Sequence, residues 1–287
     1  MGLWTECGMV APMHLEDLLD SELALPSIPR VVALVLSEIN RDEPDLRKIG
    51  VDINTDPGLT ARVLQLANSA QFQLSNKIAS VAEALAVLGL QQVATLTAAA
   101  GMAVAFKKVP GLDMQQFWHY SLDAAKLSRK LARDAGMNPA APFTAGLIHA
   151  TGELVMHLGM PEQMQWLNAQ ALPFSAHRHH AEQHLLGYHY ANVGAGFAQR
   201  WKFPKAIAEA IAHQLTPFDS GNYEPLAGIV HLAAWRARAR HEGLSASAMA
   251  VSFPDEVALN LGIDIDNVVE QEAFGWTTGQ EVAEMAS

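Results

Sequence analysis

Cysteine is almost missing from this chain: Cys7 is the only one among 287 residues. A lone thiol makes neither an intramolecular disulfide nor a thiolate zinc cluster, which excludes a stapled secreted scaffold and a zinc finger. The usage suits a reducing compartment. Charge is sparse as well. Only 17% of the residues are Asp, Glu, Lys or Arg, and the net charge is −11, a balance that disfavours binding to nucleic-acid phosphates, which needs basic surface. The one basic cluster, "RARARH" from Arg236 to His241, reads as a solvated helix face. Long apolar runs are also lacking; polar residues interrupt each one before it reaches spanning length, so no transmembrane helix is expected. The opening "MGLWTECGMVAPMHLEDLLD" has no basic region followed by an apolar stretch and does not resemble a signal peptide. A cytoplasmic protein that avoids membranes is the expectation. No P-loop is present, and "GAGFAQ" at Gly194 lacks the preceding strand that a dinucleotide fingerprint needs.

What the chain has is helical periodicity. Half of the residues are hydrophobic, and they recur at helical spacings. Ile28, Val31, Val32, Val35, Leu36 and Ile39 lie three and four residues apart, forming one helix face. A short helix is expected from about Pro44 to Ile53. Asp56 then stands as an N-cap with Pro57 at the first helical position. Another helix runs from Val81 to Leu88, with Gly89 as a break before an alanine-rich helix. "VPGLD", from Val109 to Asp113, is a turn and the candidate boundary between two helical subdomains. One long helix follows from Asp113 to Ala135, stopped by Gly136. "PFTAGLIHATGELVMHLG" is expected as a single helix that ends at Gly159-Met160-Pro161. The segment from Gln170 to Pro204 holds a loop and one or two helices, and "KAIAEAIAHQL" and "LAGIVHLAAWRARARH" are further helices. After Ser252 a small helical appendage is expected. No strand alternation and no repeat period interrupts this pattern. The fold class is all-α, with two packed helical subdomains.

Two stretches carry a family resemblance. "TDPGLTARVLQLANSAQF" followed by "KIASVAEALAVLGLQQV" resembles the N-terminal half of HDOD domains, bacterial relatives of the HD superfamily of metal-dependent phosphohydrolases. Asp56-Pro57, Leu59-Thr60, Leu64, Ala67-Asn68-Ser69 and Leu88-Gly89 fall in that family's order and spacing. "FWHYSLDAAKLSRKLA", "AGLIHATGELVM" and "EQHLLGYHYANVGAGFAQRWKFPKAIAEAIAHQ" are similar to its later part. The resemblance implies an N-terminal segment over 1–21 and an HDOD domain over 22–217. The domain's helical subdomain runs to about 110 and an HD-like bundle follows it. C-terminal helices and a tail occupy 218–287.

In catalytic HD proteins the resemblance implies a metal held by an early histidine, a His-Asp pair and a distant aspartate. Carboxylates offset divalent charge, imidazoles set geometry, and a bound water of lowered pKa attacks phosphate. Carried onto this chain, the early histidine falls at Tyr120, or at His119 if the register slips by one. The pair becomes His149-Ala150 and the final aspartate becomes Ala234. The family's lysine four residues past the histidine is Glu153, expected one helical turn from His149 and the only acid that could replace the lost carboxylate. His189 matches the later histidine, His213-Gln214 takes the place of a histidine pair, and His231 precedes Ala234 by three residues. His149, His189, His213 and His231 are therefore the residual metal ligands that the resemblance implies. Each taken singly reads more readily as a packing histidine than as a ligand. No cofactor is expected. If these imidazoles hold a cation, a transition metal such as zinc, nickel or iron suits them better than magnesium or calcium. "HRHHAEQH" is expected as a solvated loop-to-helix edge, with Glu182 an acid in the helix's first turn.

Three functions fit this pattern. The first is a non-catalytic bacterial signal-transduction module that meets a regulatory protein partner and can form a homo-oligomer. The second is a residual phosphohydrolase on nucleotides or phosphate esters, with Glu153 as its test residue. The third is a small-ligand or nucleotide sensor in the old pocket, with Lys126, Arg129 and Arg133 as anion contacts if they face inward; their spacing fits a solvated face equally well. The missing carboxylates favour the first.

Overall fold

The computed structural model of the protein describes residues 13–21, 23–26, 29–68, 72, 74–217, 224–269 and 274–286. Cys7, Ile28 and Ser69 lie outside them. Among the described residues all regular structure is helical. The chain order begins α1 (Leu15–Asp20), α2 (Arg30–Ile39), α3 (Leu46–Asn54), α4 (Pro57–Ala67), α5 (Val81–Leu88) and α6 (Leu90–Ala105). It continues with α7 (Met114–Asp134), α8 (Ala140–Ile148), α9 (Thr151–Gly159), α10 (Pro161–Gln170), α11 (Arg178–Leu186), α12 (Tyr190–Arg200), α13 (Lys205–His213) and α14 (Pro225–His241). The last helices are α15 (Ala246–Ser252), α16 (Asp255–Leu261), α17 (Ile265–Val269) and α18 (Gly279–Ala286).

Local chemistry sets many of these boundaries. The Asp45, Asp56, Ser80 and Asp113 side chains each accept a backbone N–H in the first turn of the helix they open, satisfying donors that the helix itself cannot. Pro57 occupies the first turn of α4, where its missing N–H costs least. Gly136, at φ 70°, ends α7 in a backbone conformation that side-chain-bearing residues avoid. The expected single helix across His149 is instead two. Helix α8 ends at Ile148, His149 and Ala150 form a turn, and α9 starts at Thr151.

Helices α2 to α6 pack on one another, and α7 packs on α8 and α14, while α12 lies against α9 and α13. Close approach is built into that second group. A Cβ added at Gly152 would overlap the Tyr190 carbonyl oxygen, and one at Gly146 would lie 2.6 Å from Ser128 Oγ and 2.8 Å from the Ala124 carbonyl. The helices after Ser252 dock on the body. Helix α14 holds α16 and α17, and α18 touches α4, α6 and α7.

Candidate functional site

His149 sits at the break between α8 and α9 and is fully buried. Its Nδ1 lies 2.7 Å from the Gly146 carbonyl oxygen. A carbonyl only accepts, so Nδ1 carries the proton and Nε2 carries the lone pair. That Nε2 is buried without a hydrogen-bond partner. Burial pushes the imidazole pKa down to about 4, opposed by the Gly146 bond and helped by the charge of Arg238. His149 is a neutral core histidine with one unused acceptor.

Tyr120 resolves the register. It is buried, and its ring stands edge-on to the His149 ring with centroids 4.8 Å apart. His119 is half-buried and lies instead against His241. Arg238 places a permanent charge in the same space: its Nη2 donates to Tyr120 Oη at 3.2 Å and its Nε donates to the Phe174 carbonyl at 2.8 Å. Phe174 closes the pocket from the loop after α10, at φ 62°, an uncommon conformation for a residue with a side chain. Its ring packs on those of Phe117 and Tyr120. The cluster "RARARH" is therefore only in part a solvated face: Arg240 and His241 are exposed, but Arg236 and Arg238 serve the interior. Arg236 and Arg240 lie one turn apart and Arg238 points away from both, because two residues along a helix turn the side chain by about 200°. Arg236 is buried and donates to the Val268 and Val269 carbonyls, while Arg238 enters the pocket.

Gln214 supplies a link where the resemblance implies a second histidine. Its Nε2 donates to the His149 carbonyl at 2.9 Å, and its own carbonyl accepts from His231 Nδ1 at 2.7 Å. Gln214 thus meets the His149 main chain through its side-chain amide and the His231 ring through its main-chain carbonyl. Burial lowers the His231 pKa, against the Gln214 bond. His189 stands half-buried before α12, with its backbone N–H donating to Asn192 Oδ1, and lies in electrostatic reach of His179. His213 is half-buried at the end of α13. The four-imidazole set is not assembled: among the described residues no group of three or more His, Cys, Asp or Glu side chains is arranged to hold a metal ion. Alanines stand at 150 and 234, and the Ala234 carbonyl faces Tyr120 Oη at 3.5 Å. With no carboxylate and a guanidinium beside His149, these donors do not fit a divalent cation.

Glu153 is committed elsewhere. The helix break removes the expected one-turn relation to His149, and the carboxylate is buried against Arg178. Arg178 Nε donates to Glu153 Oε1 at 3.1 Å and to Glu182 Oε1 at 2.9 Å, while its Nη2 donates to Glu153 Oε2 at 3.2 Å. The Ala171 carbonyl accepts from Nη1 at 2.7 Å, and Glu182 Oε2 accepts the Tyr190 N–H at 2.8 Å. Glu182 is not a solvated first-turn acid, and the segment from His177 is only partly an exposed edge. His180 and His184 are exposed, but Arg178 and Glu182 are fully buried. Burial, then the neighbouring Glu153 charge, holds the Glu182 carboxyl well above the usual carboxylate range. Sequence reasoning missed this triad. The Arg178–Glu182 spacing of one turn was its only signal.

Lys126, Arg129 and Arg133 do not face His149. They lie on the side of α7 away from Tyr120, along a separate cleft. Lys126 is buried and its Nζ donates to Glu281 at 2.8 and 3.0 Å.

An all-helical bundle with a buried histidine at a helix break, faced by later helices, is an HD-type arrangement, here with alanines at 150 and 234. A family model for the HDOD domain matches residues 25–217, and the chain belongs to that family. It is similar to the "Putative phosphohydrolase" of Shewanella amazonensis SB2B, with 31% identity, a TM-score of 0.75 and coverage of 94% of this chain and 97% of that one. An HDOD domain protein of unknown function from Geobacter sulfurreducens shares the fold at 22% identity and a TM-score of 0.72, over 91% of each chain. An uncharacterized protein of Treponema pallidum (strain Nichols) is 24% identical over 212 residues. Those residues make up 73% of this chain, which spans 41% of the length of that relative. No helix among the described residues is long and apolar enough to cross a membrane.

Proposed function

We propose that the chain is a non-catalytic signal-transduction module that acts by binding a regulatory protein partner. One observation carries this reading: the HD pocket is filled by its own side chains. Tyr120, Phe174 and Arg238 occupy the space beside His149, and Arg238 brings a fixed cation where hydrolysis would need a metal. Glu153, the acid expected to replace the missing carboxylate, is held by Arg178. A pocket closed in this way leaves the outer helix faces as the means of acting on another molecule.

The residual hydrolase is the second reading. It is favoured by the unused Nε2 of His149 and by the name of the Shewanella relative. Metal analysis by inductively coupled plasma mass spectrometry separates the two. Tag-free protein, purified without chelators and then incubated with manganese, zinc or nickel, is expected to carry no stoichiometric metal and to leave phosphate esters intact. A full equivalent of metal that disappears in His149→Ala would overturn the proposal. The partner itself is sought by cross-linking in cells, followed by reconstitution of the purified pair on a sizing column.

A further inference from the structure

The acids of this chain are unevenly spread. From Glu242 to Ser287 there are nine Asp and Glu residues and no Lys, Arg or His. That segment holds most of the net charge of −11, and the chain before it is close to neutral. The bases of the bundle that reach it act on its inner side. Arg236 donates to the Val268 and Val269 carbonyls, Lys130 to the Asn267 carbonyl at 3.4 Å, and Lys126 to Glu281. Asp255, Glu256, Asp264 and Asp266 stand exposed.

Within this acidic segment lies an apolar helix. No Asp, Glu, Lys or Arg occurs from Gly243 to Pro254, and α15, which reads ASAMAVS, has no buried residue at all. The helix is nevertheless fixed in place. Ser245 Oγ accepts the Ala248 N–H at its start, and Trp235 holds its end, through Nε1 to Ser252 Oγ at 3.3 Å and a ring contact with Phe253. A seven-residue helix has little stability of its own, and a surface helix is normally held by burying an apolar face. Here Val251 is 90% exposed. Helix α16 follows after only Phe253 and Pro254. Its Val257 and Ala258 are buried, while Asp255, Glu256 and Leu259 share the outward side, with Leu259 77% exposed.

We propose that α15 and the outer face of α16 are the docking surface for the protein partner, and that the partner presents an apolar patch rimmed by lysine and arginine. This rests on the signal-transduction reading above and names its surface. Specific interfaces have an apolar centre and a polar rim. Val251 and Leu259 supply the centre, and Glu242, Asp255 and Glu256 supply the rim. A rim of one sign selects a partner of the other. The same charge decides against other occupants. A second copy meeting this surface would set acid against acid, and nucleic acid or an anionic lipid surface would be repelled as well.

Photo-cross-linking of the full chain, in the cells that express it, tests the surface. Benzoyl-phenylalanine is placed at Val251 or Leu259 and, as controls, at Leu172 or Val104, which are 70% and 60% exposed. A discrete adduct is expected at Val251 and Leu259 and at neither control, and the partner peptide mapped in it should carry net positive charge. That peptide, made synthetically, should bind the purified chain. Binding should be about tenfold or more weaker to Val251→Lys and to the double variant Asp255→Asn, Glu256→Gln. All three positions are exposed, so melting points should stay close to that of the wild type. Adducts as strong at the controls overturn the surface. So does the absence of an adduct at Val251 and Leu259, a mapped peptide without net positive charge, or binding that neither variant weakens. The signal-transduction reading is tested separately, by the metal content of the protein, so the failure of one is not mistaken for the failure of the other.

Discussion

Arg178 faces two buried carboxylates and can neutralise only one of them. Burial and the Glu153 charge raise the Glu182 pKa, which favours a proton on Glu182. Taking away the guanidinium strands both acids, so Arg178→Met should cost about 3–5 kcal/mol in urea denaturation. Glu182→Gln keeps a neutral group of the same shape and should cost under about 1 kcal/mol. The same assignment has a pH signature. His149 is lowered from 6.5 to about 4, so the unfolded chain binds its proton first, and stability falls as pH drops through that window, by about 3 kcal/mol in all. Glu182 is raised above its ordinary 4.5, so the folded chain keeps the proton longer, and its contribution is full below that value and fades as pH rises. The two slopes oppose each other between pH 4.5 and 6.5. In Glu182→Gln the opposing slope is gone, and stability should rise more steeply with pH across that window than in the wild type. Denaturation midpoints at several pH values check this. Equal slopes would contradict the protonated Glu182.

At the scale of the element, the break between α8 and α9 decides what the site can do. It turns His149 into the pocket and swings Glu153 onto Arg178. Just past the break, Gly152 makes the close approach of α12 possible, because the Tyr190 carbonyl lies where a Cβ would stand. Gly152→Ala should therefore destabilise by about 3 kcal/mol or more, or prevent folding. Gly50→Ala is the matching control: it lies inside α3, a Cβ there meets Leu85 Cδ1 at an ordinary 3.7 Å, and it should gain up to about 1 kcal/mol. Thermal melts of both variants test the contrast. The helices themselves were legible in the sequence, since capping residues such as Asp56 and breakers such as Gly89 and Gly136 act through local chemistry. The break at Ala150 was not. No proline marks it, and Gly152 is small because of a neighbour 38 positions further on, at Tyr190. The arginines of α14 failed for a related reason. Composition registers their charge, but only the partners, Tyr120 and the segments near Val268 and Trp276, show which sides of the helix they serve.

For the whole molecule, the C-terminal helices act as a strap. Asp123 lies at its anchor, buried, accepting the Thr277 N–H at 2.8 Å and facing Arg240 and His241 at 3.4 and 3.5 Å. Burial raises its pKa, but His241, Thr277 and Arg240 outweigh that and hold it low. Arg236 and Arg240 lie over the Trp276 ring at 5.0 and 4.4 Å, and Lys126 grips Glu281. Asp123→Asn removes the charge that faces Arg240 and His241. It should loosen the strap without unfolding the bundle, and limited proteolysis read by mass spectrometry should then cut near 274–286 several times faster. An unchanged digestion pattern would show that the anchor lies elsewhere.

The guanidinium of Arg238 also bears on what acids placed at positions 150 and 234 would do. Restoring aspartates at Ala150 and Ala234 would rebuild the acidic pattern on paper. Yet the new carboxylates would arise beside a resident cation that already sits with Tyr120 and His149. They would form an internal ion pair before any divalent ion could enter. A single reversion of the pair therefore leaves this chain as it is. On the non-catalytic reading proposed above, a metal would need Arg238 removed first, and that step gives up the bond which holds Phe174 over the pocket.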